Sequence, residues 1–275
     1  MTRLAIIVVT HNARDDVARL LDSLTTAPPS VSHEIVIVDN ASTDGALELV
    51  RSRFPQLRVI EAGGNLGFAK ANNIGIRATA SDLVLLLNPD TIVPSGAIDR
   101  LTAHLDDFPG VAIIGPRIVD SAGHAELSIG GPVNPWREAA RKTLLSLDAR
   151  GSVFARRWIE EQTTREHDVE WVTGACLLVR RADAEAVGLL DERYFLYLED
   201  VDFCAAVKAR GRRILFSPVA EIVHLRGRSD VGDASHARAT WHESHLAYYR
   251  KHSPFWAPVL KWYQQWTGAV RRPEL

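Results

Sequence analysis

Residues Leu83–Thr91 read LVLLLNPDT, a run of five apolar residues that stops at an amide, a proline and a carboxylate. A short unbroken apolar run is typical of a strand buried on both faces of a parallel sheet. Because proline cannot donate to a sheet ladder, the strand is predicted to end before Pro89. Asn88 and Asp90 would then lie at the carboxyl end of a central strand, where open α/β sheets bind their ligands. Oxygen ligands of this kind suit Mg²⁺ or Mn²⁺, although from this stretch alone Asp90 could equally cap the next helix.

The chain before this run repeats the same pattern. Apolar strands at Leu4–Val9 and Glu34–Val38 alternate with segments of helical spacing, which predicts an α/β fold with a mostly parallel sheet. These strands end in the polar residues Thr10–Asn12 and Asp39–Asn40. The carboxyl ends of parallel strands meet at one edge, so both groups are expected beside Asn88–Asp90. Three polar strand ends at one edge favour a binding site over simple helix capping.

Composition and motifs exclude several classes of protein. The chain has 275 residues, with 32 basic and 34 acidic side chains, so its net charge of −2 gives no reason to expect a nucleic-acid partner. The first strand is not followed by G-x-G-x-x-G, and no P-loop sequence is present. Cys176 and Cys204 form no CxxC pair and are predicted to be buried free thiols in a reducing compartment.

Membrane insertion is not indicated by the hydropathy of the chain. No window approaches the roughly 18 apolar residues of a spanning helix, and Leu4–Val9 is too short for a signal peptide. We therefore expect a cytoplasmic protein whose membrane contact, if it has one, is peripheral.

The second half carries an acidic cluster at the start of a predicted helix. Glu199, Asp200 and Asp202 lie among aromatic and aliphatic residues. Such a cluster usually complements the helix dipole on a solvated face. Partial burial would instead raise a carboxylate pKa and favour a general base. His224 follows a later apolar run and is interpreted as either a structural histidine or a ligand. The intervening segment, 120–168, is expected to form a mobile region or lid.

In their order along the chain, these motifs resemble those of a family 2 glycosyltransferase with the GT-A fold, a Rossmann-like mixed sheet flanked by helices. The nearest subgroup is that of the bacterial rhamnosyltransferase-like enzymes. The resemblance covers roughly residues 3–230. The segments that carry it are Val9–Asn12, Val38–Gly45, Asn65–Ala69, Asn72–Ile76, Leu87–Thr91, Gly174–Cys176, Leu190–Glu192 and Glu199–Cys204.

The resemblance implies a role for each matched residue. Asp200 is the expected catalytic base, with Glu199 as its neighbour. Asp90 and His224 are expected to hold a divalent metal, Mg²⁺ or Mn²⁺, on the donor diphosphate. The expected donor-binding residues are Thr10, Asn12, Asp39, Asn40, Asn65, Gly67, Asn73, Asn88 and Asp90. The expected acceptor-side residues are Trp171, Gly174, Asp191 and Glu192.

Two positions depart from the family pattern. Family 2 enzymes commonly have Asp-x-Asp, whereas position 88 is asparagine, which removes one charge from the expected metal site. Many relatives also have arginine where Asn72 stands. The NPDT form is typical of the rhamnosyltransferase-like subgroup, so the metal site is still expected to function.

The implied activity is inverting transfer of a sugar from a nucleoside-diphosphate donor, with dTDP-rhamnose favoured. The acceptor would be a glycan or a polyprenyl-linked glycan in cell-envelope polysaccharide synthesis. Two alternatives stay open: a transferase that uses a UDP-hexose donor, and a catalytically silent nucleotide-sugar-binding subunit.

The predicted organisation is a catalytic domain, 1–230, followed by a helical extension, 231–275. Within the catalytic domain, 1–118 is the expected nucleotide-sugar half and 119–230 the expected acceptor half. In 254–272, aromatic and aliphatic residues recur at near-helical spacing beside basic residues. This segment is interpreted either as a helix packed on the catalytic domain or on the partner in a homodimer, or as an interfacial helix at the inner face of the plasma membrane.

Overall fold

The computed structural model of this chain describes residues 2–225 and 234–266, with the backbone alone for 234–236. Two predicted features lie outside the described residues. One is the boundary between residues 230 and 231, and the other is the last part of the candidate membrane segment, 267–272.

Strands and helices alternate through the first half of the chain, as predicted, and helices close it. The strands are β1 (Leu4–Thr10), β2 (His33–Asp39), β3 (Arg58–Glu61), β4 (Leu83–Leu87), β5 (Thr91–Ile92), β6 (Val111–Val119), β7 (Ile129–Gly130), β8 (His167–Asp168), β9 (Trp171–Val172), β10 (Cys176–Arg180) and β11 (Arg213–His224). The helices are α1 (Arg14–Thr26), α2 (Ala46–Arg53), α3 (Phe68–Arg77), α4 (Ala97–Asp107), α5 (Pro135–Ala149), α6 (Val153–Gln162), α7 (Arg181–Ala186), α8 (Glu199–Ala209), α9 (Ala234–His252) and α10 (Ala257–Trp266).

In the described part of the chain, nine strands form one mixed sheet. Their order is β3-β2-β1-β4-β10-β6-β11-β5, and β8 also pairs with β11. The first four strands in this order are mutually parallel. β10 runs antiparallel between β4 and β6, and β11 is parallel to β6. Strands from residues 1–118 and 119–230 therefore share a single, mostly parallel sheet.

The apolar run of β4 is buried on both faces, as predicted. Leu83, Leu85 and Leu87 lie in one core cluster with apolar residues of α1, α2 and α4. Val84 and Leu86 lie in a second cluster, with residues of α3 and α8. Successive side chains of a strand point to opposite faces, so a continuous apolar run is required where helices cover both sides.

The two cysteines belong to this core. Cys176 and Cys204 are free and buried, which confirms the prediction of free buried thiols. Burial raises the pKa of Cys176 to about 12. Both thiols are packing residues in this structure.

The end of the sheet differs from the sequence prediction. The spacing predicts two short strands, Ile214–Ser217 and Glu221–Leu225, but a single strand, β11, spans both. Its register against β6 shifts around Pro218. Proline is tolerated at such an irregularity because no ladder hydrogen bond is required of it there. The strand therefore continues and carries His224 to the edge of the sheet beside β5.

Helix α9 packs on the part of the chain that precedes it. Tyr248 and Tyr249 lie with Tyr194 in a separate buried aromatic cluster. Glu138 of α5 accepts a hydrogen bond from Tyr249 Oη at 2.7 Å and lies 3.0 Å from His245 Nε2. The predicted segment 254–272 begins beyond α9: Ala257 of α10 joins the same cluster, whereas Trp262 and Trp266 of α10 are exposed.

Gly67 gives the first prediction. Its φ of +81° and ψ of 177° belong to a region that only glycine populates freely, and a Cβ there would lie 2.2 Å from the Phe195 carbonyl oxygen. We expect Gly67→Ala to lower the free energy of unfolding by about 3 kcal/mol or more. Gly63 is the matched control, since its φ is +77° but nothing lies within 4 Å of its added Cβ.

Gly63→Ala should cost only about 1 kcal/mol, the ordinary penalty of positive φ. Denaturant unfolding followed by circular dichroism measures both variants. Equal losses in the two variants would show that the close approach of Gly67 to Phe195 does not matter.

Candidate active site

The donor-side edge is built around Asn40, at the end of β2. Its backbone N–H donates to the Thr10 carbonyl at 2.8 Å. Its side-chain oxygen accepts from the Leu66 N–H at 2.8 Å, and its amide nitrogen donates to Asn65 Oδ1 at 3.0 Å and to the Gly67 carbonyl at 3.2 Å. Asn40, Asn65 and Gly67 therefore hold the loop before α3 against the sheet and shape this edge.

The other predicted donor residues of the first half lie at the same edge. Thr10 is buried, and its Oγ1 has no hydrogen-bond partner in the described residues. Asp39 is buried and accepts from the Ser42 N–H at 3.2 Å. Asn12, at φ +50°, accepts from the Thr43 N–H at 2.7 Å. Thr10 and Asp39 are neighbours in the β1–β2 ladder, so the predicted convergence of strand ends is confirmed.

The NPDT sequence after β4 forms a tight turn. The Thr91 N–H and Oγ1 both bond the Asn88 carbonyl, at 3.3 and 2.7 Å. Through this turn the chain reverses into β5, where Thr91 pairs with His224. The turn buries Asp90 and also buries Asn88 Oδ1, an oxygen without a hydrogen-bond partner within residues 2–225 and 234–266.

The fold brings the two predicted metal ligands together. His224 Nε2 lies 3.2 Å from Asp90 Oδ1, and on the other side of the ring Nδ1 lies 3.3 Å from Glu126 Oε2. Burial lowers the pKa of His224, but the hydrogen bonds to the two carboxylates outweigh it and raise the pKa to about 9. A neighbouring carboxylate at each ring nitrogen fixes the orientation of the imidazole.

The candidate base is attached to the same edge through Gly174 and Ala175. The Asn88 N–H donates to the Ala175 carbonyl at 3.0 Å, and the Gly174 N–H donates to Asp200 Oδ2 at 2.8 Å. Asp200 Oδ1 accepts from the Val201 N–H at 2.8 Å. The partly exposed carboxylate of Asp200 is thereby held by Gly174, whose neighbour Ala175 bonds the NPDT turn.

The two acidic residues that open α8 have different environments. Glu199 is 5% exposed, and its Oε2 has no hydrogen-bond partner in the described chain. Burial and the adjacent Asp200 raise the pKa of Glu199 well above its usual value. Burial also raises the pKa of Asp200, but the backbone N–H groups of Gly174 and Val201 act against the rise. Asp200 is therefore the carboxylate better suited to accept a proton.

Asp202 belongs to a different site from Asp200. It accepts a hydrogen bond from Tyr194 Oη at 3.1 Å, and pairs with Lys251 at 2.8 Å and His252 at 2.6 Å. Residues two apart on a helix face opposite sides, so the acidic cluster is divided. Asp202 anchors α9 to α8, whereas Asp200 faces Gly174.

Three predicted site residues, Asn73, Asp191 and Glu192, bond to other parts of the protein in this structure. Asp191 pairs with Lys251, which also binds Asp202, so Asp191 lies on the far side of α8 from Asp200. Glu192 Oε1 accepts from Asn73 at 3.0 Å and from Arg77. Asn73 is fully buried and also bonds both backbone groups of Leu190.

Through these contacts, the three side chains hold the loop around Leu190 against α3 and α9. The predicted substrate contacts of Asn73, Asp191 and Glu192 remain predictions.

Of the remaining acceptor-side predictions, Gly174 contacts Asp200 directly, and Trp171 lies in β9, the strand that precedes Gly174. Trp171 is partly exposed, and the Arg141 guanidinium lies 4.8 Å from the centre of its ring. Arg141 also donates to the carbonyls of Leu127 and Ile129, at 2.6 and 2.8 Å. Sequence reasoning missed Arg141 and Glu126, because each reaches the site from a segment without a recognisable motif.

The chain matches known proteins in sequence and in fold. Residues 5–185 match the family model described as glycosyl transferase family 2. The chain is 31% identical over 300 residues to the N-acetylglucosaminyl-diphospho-decaprenol L-rhamnosyltransferase of Mycobacterium tuberculosis, covering 98% of this chain and 91% of that protein. This chain therefore belongs to glycosyl transferase family 2.

Two more distant relatives have related names. The rhamnosyltransferase WbbL of Escherichia coli K12 is 26% identical over 239 residues, which cover 80% of this chain and 82% of WbbL. The dTDP-rhamnosyl transferase RfbF of Shigella flexneri is 25% identical over 229 residues, which cover 82% of this chain and 70% of RfbF. The chain is a rhamnosyltransferase-like glycosyltransferase, as predicted.

Solved structures confirm the GT-A fold. GalNAc-T7 with UDP, GalNAc and Mn²⁺ superimposes with a TM-score of 0.64 at 16% identity, over 91% of this chain and 48% of that one. The Pyrobaculum calidifontis mannosyltransferase PcManGT, in complex with GDP-Man and Mn²⁺, has a TM-score of 0.60 at 19% identity, over 94% and 68%.

Proposed function

We propose that this enzyme transfers L-rhamnose, with inversion, from dTDP-rhamnose to a polyprenyl-diphosphate-linked glycan in cell-envelope polysaccharide synthesis. The observation that carries the transferase chemistry is the position of Asp200, bound to Gly174 beside the NPDT edge. The choice of sugar and acceptor rests on the names of the relatives. In this assignment residues 1–118 bind the donor and 119–230 the acceptor.

The residues divide the reaction into proton removal and charge stabilisation. Asp200 would take the proton from the acceptor hydroxyl as that oxygen bonds to the anomeric carbon. The bond from this carbon to the diphosphate oxygen breaks, and its electron pair leaves with the nucleoside diphosphate. Gly174 and Val201 would hold the Asp200 carboxylate in place through backbone N–H groups during this step.

Thr10, Asn12 and Asp39 would line the nucleotide pocket at the ends of β1 and β2. Asp39 keeps a carboxylate in a buried position, where it can accept a base N–H or a ribose hydroxyl. Asn40 and Asn65 would act by shaping the neighbouring loop.

The residues at the sheet edge fit a divalent metal whose remaining ligands would come from the donor diphosphate. In residues 2–225 and 234–266, no group of three or more histidine, cysteine or acidic side chains forms a ready metal centre. The chain instead supplies Asp90, the unpartnered oxygen of Asn88 and His224, whose imidazole would have to give up its extra proton to bind the metal. Mg²⁺ is commonly held by one or two carboxylates together with substrate phosphates, so this sparse set is sufficient. When bound, such a metal stabilises negative charge on the departing diphosphate.

A transfer assay tests this proposal. The enzyme would be incubated with dTDP-rhamnose, Mn²⁺ and a short-chain polyprenyl-diphosphate-GlcNAc, and the lipid product identified by mass spectrometry. Proton NMR of the new linkage would report inversion. Transfer only from a UDP-hexose would support the first alternative, and donor binding without transfer to this acceptor or related glycans would support the silent subunit.

We also propose that α10 contacts the inner face of the plasma membrane, where a lipid-linked acceptor would be held. Among the described residues, no helix is long and apolar enough to cross a bilayer. The segment 254–266 nevertheless exposes five large apolar side chains. Residues 250–266 carry three basic and no acidic residues, and two of the basic ones, Arg250 and Lys261, are not the lysine that pairs with Asp191 and Asp202. The exposed side chains are Phe255, Val259, Trp262, Tyr263 and Trp266. Aromatic residues beside positive charge are typical of helices that lie at an anionic lipid surface.

The membrane contact predicts loss of lipid binding without loss of fold. Trp262→Ser combined with Trp266→Ser should lower co-flotation with anionic liposomes by about tenfold, because both rings are more than half exposed and supply buried area at the bilayer. Trp136→Ser, at an equally exposed tryptophan of α5, is the control and should float like the wild type.

Unchanged flotation of the double variant would contradict the membrane assignment. Light scattering that showed a dimer dissociated by the same two changes would assign the face to a second copy of the chain.

A further inference from the structure

Helix α5 brings an arginine to the candidate base from outside every recognised motif. None of the residues of α5 is fully buried, so this helix is held mainly by specific contacts. On one side Glu138 bonds His245 and Tyr249 of α9. One turn further on, Arg141 reaches inward to the carbonyls of Leu127 and Ile129.

The segment that Arg141 binds leads directly to Asp200. Residues 128–130 pair with 170–173 through the β7–β9 ladder, and the Thr173 N–H donates to the Ser128 carbonyl at 2.9 Å. The next residue, Gly174, donates its N–H to Asp200. Gly130 lies so close to Trp171 that an added Cβ would be 2.3 Å from the ring. Arg141, Trp171 and Gly130 thus form one packed unit behind the backbone that holds the base.

The charge of Arg141 also acts on Asp200 directly. Burial and then backbone hydrogen bonds have the largest effects on the pKa of Asp200, and the positive charge of Arg141 lowers it. Glu199 and Cys204 of its own helix also interact electrostatically with Asp200, and neither supplies positive charge. The positive charge of Arg141 reaches this carboxylate from a different element, α5.

We propose that Arg141 is a positioning residue for the transfer reaction: it fixes the Trp171–Gly174 segment that holds Asp200 and places a positive charge near that carboxylate. This inference rests on the proposed role of Asp200 as base. Proton removal would then require α5 to be correctly placed against the Trp171–Gly174 segment. Helix α5 is itself attached to the C-terminal extension through Glu138.

Arg141→Gln tests the charge, since an amide can still donate to one carbonyl. Without the positive charge the pKa of Asp200 rises further, and a base must be ionised to act. The acid limb of the kcat/KM profile for the acceptor should therefore move to higher pH by about one unit, with about a tenfold loss of rate on that limb. The donor Kd from calorimetry should be unchanged.

Arg141→Lys keeps the charge but loses the planar fork that binds two carbonyls and stacks on Trp171. It should restore the acid limb to the wild-type pH while kcat stays reduced. Lys142→Gln removes a charge from the neighbouring exposed position of α5 and should leave both the rate and the profile unchanged.

A second measurement separates failure of this inference from failure of the proposed function. Carboxyl ¹³C NMR would titrate Asp200 in the wild type, Arg141→Gln and Lys142→Gln, with no need for turnover. A higher Asp200 pKa in Arg141→Gln alone supports the inference even if the donor or acceptor is assigned wrongly. The inference would be overturned if Arg141→Gln had the same Asp200 pKa and the same acid limb as Lys142→Gln, whatever its loss of rate. It would also be overturned if the acid limb of Arg141→Lys stayed shifted from that of the wild type.

Discussion

Asp200→Asn is expected to lower kcat by about 10²–10⁴-fold, the usual contribution of a general base, while donor affinity stays nearly unchanged. The asparagine side chain has the same shape and can still accept the Gly174 N–H that now holds Asp200 Oδ2. It cannot take a proton from the acceptor. Initial rates at saturating donor and acceptor, together with calorimetry of the donor, measure the two effects separately.

Asp183→Asn is the matched control for this variant. Asp183 lies in the first turn of α7 and pairs with Arg212, away from the sheet edge that holds Asp90 and Asp200. Its replacement should leave kcat unchanged. Near-wild-type turnover by Asp200→Asn would remove Asp200 from the role of base. Glu199, which is buried and whose pKa is raised well above its usual value, would be a poor replacement for it.

Asp90→Asn is expected to weaken metal-dependent donor binding by at least about 10²-fold. The substitution keeps a side-chain oxygen but removes the only formal negative charge of the NPDT turn, since residue 88 is already an amide. Binding of the donor without metal should change little. Calorimetric titration of the donor with Mn²⁺ and with EDTA separates metal-dependent binding from metal-independent binding.

Asp120→Asn serves as the control for Asp90→Asn, because Asp120 lies in an exposed loop after β6 and bonds its own loop. It should bind donor and metal like the wild type. Equal metal dependence in Asp90→Asn and the wild type would mean that the diphosphate is neutralised elsewhere, and the proposed metal site would be wrong.

Much of the fold follows from local pattern. The apolar run of β4 and the polar ends of β1 and β2 are each contained within a few residues, so the parallel sheet and its ligand edge are predictable. The single strand β11 is not, because a run broken at Pro218 is compatible with either one strand or two until its partner β6 is known.

The site residues that belong to recognisable sequence motifs could be predicted. Asp90, His224 and Asp200 occupy matched positions and do lie around one edge. Asp191 and Glu192 also occupy matched positions, but Lys251, Arg77 and Asn73 hold their carboxylates against α9 and α3. The side chains that pair with a given carboxylate come from helices far away in the sequence, so these pairings cannot be predicted from a local motif.

The same limit explains the residues that were missed. Glu126 and Arg141 come from the segment between β6 and β8, which has no sequence signature. Their importance follows only from the three-dimensional contacts with His224 and with the Trp171–Gly174 backbone.

The most direct test of this account is a calorimetric titration of the wild-type enzyme with dTDP-rhamnose, UDP-glucose, UDP-galactose and GDP-mannose, each with and without Mn²⁺. We predict that dTDP-rhamnose binds most tightly, that its binding requires the metal, and that Asp90→Asn and Asp39→Ala both weaken it. Binding of none of the four donors, or equal binding by the wild type and both variants, would contradict a nucleotide-sugar site at the ends of β1, β2 and β4.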